Sequence, residues 1–151
     1  MRKSSAEGGD DPRSRHADRS ARSLEQIENS DWGDPPADAT RLIETVHRLR
    51  RKPIGLLTAE DLRLLLGQNV GAPIFVPRAL AMLEEDPLRE GDLYPGDLLA
   101  ATMRIPSTHW HARPDHLERL KRVIAAVDTT AEDFDSLLRG RIAEFREQLR
   151  S

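Results

Sequence analysis

Apolar residues in this chain return at intervals of three and four, and prolines or glycines interrupt them before any run grows long. In PDHLERLKRVIAAVD, Leu117, Leu120, Val123, Ile124 and Val127 fall on one helical face, and in ATRLIETVHRLRRK Leu42, Ile43, Val46 and Leu49 do the same. No stretch alternates apolar and polar residues with a period of two, and no internal repeat occurs. The Pro35-Pro36 pair, Pro53 and Pro106 each stop a helix, because proline lacks an amide donor and restricts the residue before it. The chain is therefore predicted to be all-α, a single-domain bundle of about six or seven short helices.

Local signals place those helices. From Ser23 a short stripe of Leu24, Ile27 and Trp32 runs to Gly33, and Asp38 is expected to cap the helix that Pro53 ends. Thr58, with Asp61 three residues on, is an acidic approximation to a capping box for TAEDLRLLLGQ, whose C-cap is expected at Gly67. Pro77 either lies near the start of the following helix or kinks a longer one. Pro95 suits the first turn of GDLLAATMR, STHWH is expected as a turn, and Thr129 or Thr130 is expected to cap a last helix carrying Phe134, Leu137, Leu138, Ile142, Phe145 and Leu149. Trp32, Leu42 and Trp110 are expected in the core.

With 151 residues, no cysteine and 4% aromatic content, the chain suits one helical core, free of disulfides and thiol chemistry. Residues 1–20 hold no large apolar side chain beyond Met1 and are read as a disordered tail of mixed charge, ahead of one helical domain over 21–151. No apolar run approaches the ~20 residues needed to cross a bilayer, so no membrane partner is expected and a cytoplasmic location is. The net charge of −3 gives no general attraction to nucleic acid.

Chemistry is sparse. His109 and His111 around Trp110, with Asp115 and His116 nearby, lack the cysteine or HExxH run of a zinc site, and residues two apart on a helix point to different sides. No nucleophile elbow accompanies Ser107. Gly67 to Gly71 lacks the Gly-Lys-Ser/Thr ending of a phosphate loop. Helix, glycine turn and helix over 58–83 has the outline of a DNA reader, which makes a nucleic-acid-binding regulator the alternative. The second helix, however, offers Ile74, Phe75 and Val76 with only Arg78, as a core helix would. Cations at Arg48, Arg50, Arg51 and Lys52 sit at a helix C-terminus, where they favour the macrodipole and can pair with the acidic stretch before them. No catalytic set, metal or cofactor is expected.

One feature stays unexplained by folding. In EEDPLREGDLYPGDLL the prolines and glycines are turn chemistry, and Leu88, Leu93 and Leu98 are expected to anchor the segment. Yet Glu84, Glu85, Asp86, Glu90, Asp92 and Asp97 face a single Arg89, a local net charge of −5. Asp92 or Asp97 can serve the next helix N-terminus; the others fit either a solvated connection between helices or a cationic protein partner, whose complementarity would raise encounter rates and specificity. The expected partner-binding set is Glu84, Glu85, Asp86, Glu90, Asp92, Tyr94 and Asp97.

The phrases LEQIENSDWGDPP, RLRRKPIGLLTAEDLRLLLGQNVGAP and LEEDPLREGDLYPGDLLAATMRIPSTHW resemble the immunity proteins of contact-dependent growth inhibition (CDI) and related polymorphic toxin systems, from about Leu24 to Val127. The resemblance implies a bacterial cytoplasmic protein and no enzyme. Its partner would be the toxic C-terminal domain delivered by a neighbouring cell, which it would block stoichiometrically; a nuclease with a basic cleft would make an acidic face sensible. No interface residues follow from the resemblance itself.

Overall fold

The computed structural model describes residues 20–150, so all but the last residue of the tail read from the sequence lies outside the described residues. The described residues form eight α-helices and one 3-10 turn, with no strand among them, so the all-α expectation holds. They group into two compact units, one ending at Leu57 and the other beginning at Thr58.

In the first unit, α1 (Leu24–Glu28) opens with a reciprocal cap: Ser23 Oγ accepts the Gln26 amide at 3.2 Å, and Gln26 Oε1 accepts the Ser23 amide at 2.9 Å. Asn29, in the left-handed region at φ 52°, ends it. The cap of α2 (Arg41–Arg50) is Thr40 and not Asp38, with Oγ1 taking the Ile43 amide at 3.2 Å. The 3-10 turn Ile54–Leu56 brings the chain back, and the Ile54 amide donates to the Arg22 carbonyl at 2.8 Å. Leu24, Val46, Leu49, Ile54 and Leu57 are buried. Trp32 and Leu42, expected inside, are 48% and 37% exposed. Leu42 stands in the first turn of α2, before its buried positions begin, and Trp32 lies in the irregular stretch between the helices, with the Arg50 guanidinium 3.9 Å from its ring centroid.

The second unit holds α3 (Ala59–Gly67), α4 (Ala72–Glu85), α5 (Asp97–Met103), α6 (Ser107–Ala112), α7 (Pro114–Ala125) and α8 (Ser136–Arg150). The Thr58–Asp61 capping box of α3 forms as expected. The turn after it falls on Gln68 and on Asn69 at φ 55°, just past Gly67. Pro77 is accommodated inside a continuous α4. The start of α5 comes after Pro95, with Gly96 as its cap at φ 92°, and an alanine there would also place its Cβ 2.6 Å from Leu138 Cδ2. All seven α5 residues are buried, and the helix packs on α3, α4 and α8. Each fully buried leucine there is worth about 2 kcal/mol of transfer free energy.

Two elements differ from the sequence reading. STHWH is a helix, α6, held down by Trp110, which is buried and edge-on to Phe145 with ring centroids 6.2 Å apart. The last helix begins at Ser136, five residues later than expected, because Asp135 Oδ1 accepts the Leu138 amide at 2.9 Å. Arg139 reaches back to the carbonyls of Thr129 and Ala131, both at 2.9 Å, and holds the preceding residues as a loop. Leu138, Ile142 and Phe145 of its stripe are buried, while Leu137 is 59% exposed.

Candidate functional site

The acidic loop joins α4 to α5, and its six carboxylates divide into distinct roles. Asp97 is buried, 2% exposed, at the first position of α5. Its oxygens accept the amides of Gly91 at 2.6 Å, Leu93 at 3.0 Å and Tyr94 at 3.4 Å, and Arg63 Nε lies 3.7 Å away. Glu60 of α3 accepts the Asp92 amide at 2.8 Å and is itself gripped by the two-pronged Arg63 guanidinium, Nε at 2.7 Å. That grip holds the Glu60 carboxyl below its ordinary range against the opposing effect of burial, and the Asp92 amide adds to it. A backbone bond from the Gly96 amide to the Leu88 carbonyl, 3.0 Å, closes the loop. The backbone from Gly91 to Tyr94 is thus fixed from beneath by Glu60, Arg63 and Asp97.

The other carboxylates stand outside this frame. Glu84 meets Arg119 of α7 in a bidentate pair at 2.7 and 2.9 Å, which holds its carboxyl below the ordinary range. Asp86 is exposed and accepts the Leu88 amide at 3.1 Å. Glu85, Glu90 and Asp92 are exposed, and none has an ion pair among the described residues. Tyr94 is half-buried. Leu93, expected as an anchor, is 61% exposed, because the amides on either side of Asp92 are pulled toward Asp97 and the side chain of Leu93 is left outside. Leu98 anchors as expected, fully buried. Of the seven residues read from the sequence, Glu85, Asp86, Glu90 and Asp92 are exposed, Glu84 is held by Arg119, Tyr94 is half-buried and Asp97 is turned inward. Glu60 and Arg63, which set the loop, carried no sequence signal beyond ordinary helix-surface charge.

The other candidates are arranged differently. Arg50 and Arg51 pair with the preceding acidic stretch, Arg50 with Glu28 at 2.9 Å and Arg51 with Glu25 at 3.2 Å, which matches the plain reading of that basic strip. His109 pairs with His116, Nε2 to Nδ1 at 3.2 Å, and not with His111, which is exposed. No group of three or more His, Cys, Asp or Glu residues suited to a metal ion occurs among the described residues, and no helix there is long and apolar enough to cross a membrane.

The histidine pair has a pH signature. Burial pushes both imidazoles below their ordinary value, the Arg113 charge acts in the same direction and Asp115 opposes it; His109 and Arg119 add to the shift at His116. A base with a depressed folded pKa binds fewer protons folded than unfolded, so its stability contribution is complete above about pH 6.5 and is lost as pH falls below that value. The melting temperature should therefore drop between about pH 7.5 and about pH 5.5 in thermal melts. His116→Gln should flatten that slope, and an equal slope in the variant would place the titration elsewhere.

The sequence profile of the CDI immunity proteins matches residues 26–120, which takes in the whole acidic loop with its supporting Glu60 and Arg63. Neither a curated protein nor a solved structure matches the chain. The profile covers more than half of the 151 residues and the span agrees with the resemblance read from the sequence. The chain belongs to the family of CDI immunity proteins.

Proposed function

We propose that this chain neutralises the C-terminal domain of its cognate toxin by binding it one-to-one, as an inhibitor without catalysis of its own, in the cytoplasm where the toxin would act. The observation that carries the interface is the group of exposed carboxylates Glu85, Asp86, Glu90 and Asp92 beside exposed Leu93, on a loop already fixed by Asp97 and Glu60. Preorganisation lowers the ordering entropy lost on binding, and a concentrated negative field speeds encounter with a cationic partner. A nuclease with a basic cleft is the toxin that fits this surface best.

The test is titration calorimetry against the catalytically disabled C-terminal domain of the large secreted protein encoded beside the gene, with growth rescue on co-expression. Tight one-to-one binding and rescue are expected. Reversing Glu85, Glu90 and Asp92 to lysine should slow association by about tenfold or more and weaken its salt dependence, while the melting temperature stays near that of the parent. Unchanged association kinetics would remove the loop from the interface.

A further inference from the structure

At the end of α5 remote from the acidic loop, an open cleft of about 680 Å³ lies between the α5–α6 connection and α8. Arg104 and Arg141 both line it, and neither guanidinium has a hydrogen bond or ion pair among the described residues. The Arg141 Nε is buried and has no hydrogen-bond partner among the described residues, an arrangement that leaves a desolvated donor unsatisfied. His111 adds a ring donor or acceptor at the edge. Glu144 contributes the opposing carboxylate, three residues along α8 from Arg141, and makes no pair with it. Part of the lining is apolar, from Met103 and Phe145.

We propose that this cleft seats an acidic segment of a protein partner, a carboxylate answering Arg104 and Arg141 while an apolar neighbour lies against exposed Pro106. The mixed lining favours a segment over a lone oxyanion, which would answer the two guanidiniums and leave the apolar wall at Pro106 without a contact. Arginine's planar fork suits a carboxylate, which would pair with the terminal guanidinium nitrogens. The inference rests on the partner's being a protein, and it gives this unit two recognition surfaces of opposite sign.

The test is a titration of the isotope-labelled full chain, followed by amide chemical shifts, with an acetylated peptide alternating glutamate and leucine and separately with inorganic phosphate. Peptide-induced shifts over residues 100–107 and 141–148 are expected. The double variant Arg104→Glu, Arg141→Glu should bind the peptide at least tenfold more weakly, and Arg104→Ala, Arg141→Ala serves if the reversal does not fold. Shifts confined to other segments, equal affinity in the variant, or a response to phosphate without one to peptide would each overturn the assignment, the last in favour of a small-oxyanion site. The toxin domain takes no part in this measurement. A chain that binds the peptide here but ignores the toxin keeps the cleft and loses the function proposed above. A chain that binds the toxin but ignores the peptide keeps that function and loses the cleft.

Discussion

Replacing Asp97 by alanine should lower the melting temperature by roughly 10 °C. The carboxylate accepts three loop amides and faces Arg63 from a position 2% exposed. Hydrogen bonds to a charged group contribute about 1.5–3 kcal/mol each, and the loop donors left behind regain water only in part, so a net loss of about 3 kcal/mol is expected. For a chain of this length each kcal/mol moves the midpoint by about 2–4 °C. Asp97→Asn keeps an acceptor and the shape while removing the charge, and should fall between the two. Gly91→Ala attacks the same frame from the other side, since its Cβ would stand 2.6 Å from Glu60 Oε1 and 3.0 Å from Asp97 Oδ2. Thermal melts followed by circular dichroism check all three. A shift of only 1–2 °C in Asp97→Ala would mean that water replaces the carboxylate and that the loop is not held from beneath. The contrast with the triple lysine reversal separates frame from surface: one variant should change stability first, the other association first.

The helices were legible in the sequence because their signals are local. The stripe of Leu120, Val123 and Ile124, the stops at Pro53 and Pro106, and the Thr58–Asp61 box each depend on residues within a few positions of one another, and all appear in the structure. The misses arose where a distant residue decided the outcome. Thr129 and Thr130 are good capping residues, but Arg139 ties up the carbonyl of Thr129 and Asp135 supplies the cap. STHWH has weak helix propensity and folds as a helix because Trp110 packs against Phe145, thirty-five residues on. In the loop, net charge was visible from composition, whereas its division between inward Asp97 and outward Glu85, Glu90 and Asp92 was not. That division depends on Glu60 and Arg63, which a count of loop residues never meets.

Two segments of the sequence carry the same net charge of −5, Leu24 to Asp38 and Glu84 to Asp97, yet their carboxylates are paired to different extents. In the first, Glu25, Glu28, Asp31 and Asp34 all lie within 4.0 Å of Arg50 or Arg51. Arg50 is the centre of that arrangement: it is 1% exposed, donates to Glu28 Oε1 at 2.9 Å and to the Ser30 carbonyl at 3.1 Å, and stacks over Trp32. Arg50→Ala should cost about 3 kcal/mol, the lower end for breaking a buried pair, because Glu28 is 42% exposed and water can solvate it once it is alone. Arg50→Met keeps the packed stem and should cost only about 1 kcal/mol, since an apolar residue of similar volume removes the desolvation of the guanidinium along with its partners. Denaturant melts give both values, and faster amide exchange over residues 23–51 together with greater quenching of Trp32 should accompany the alanine variant. If methionine proves as damaging as alanine, charge rather than packing holds this stretch, and its carboxylates are then neutralised by Arg50 in the energetic as well as the geometric sense. If both substitutions are mild, the stretch from Glu25 to Asp34 is held by Arg51 and water, its negative field reaches the solvent, and it competes with the 84–97 loop as the surface that meets a cationic toxin.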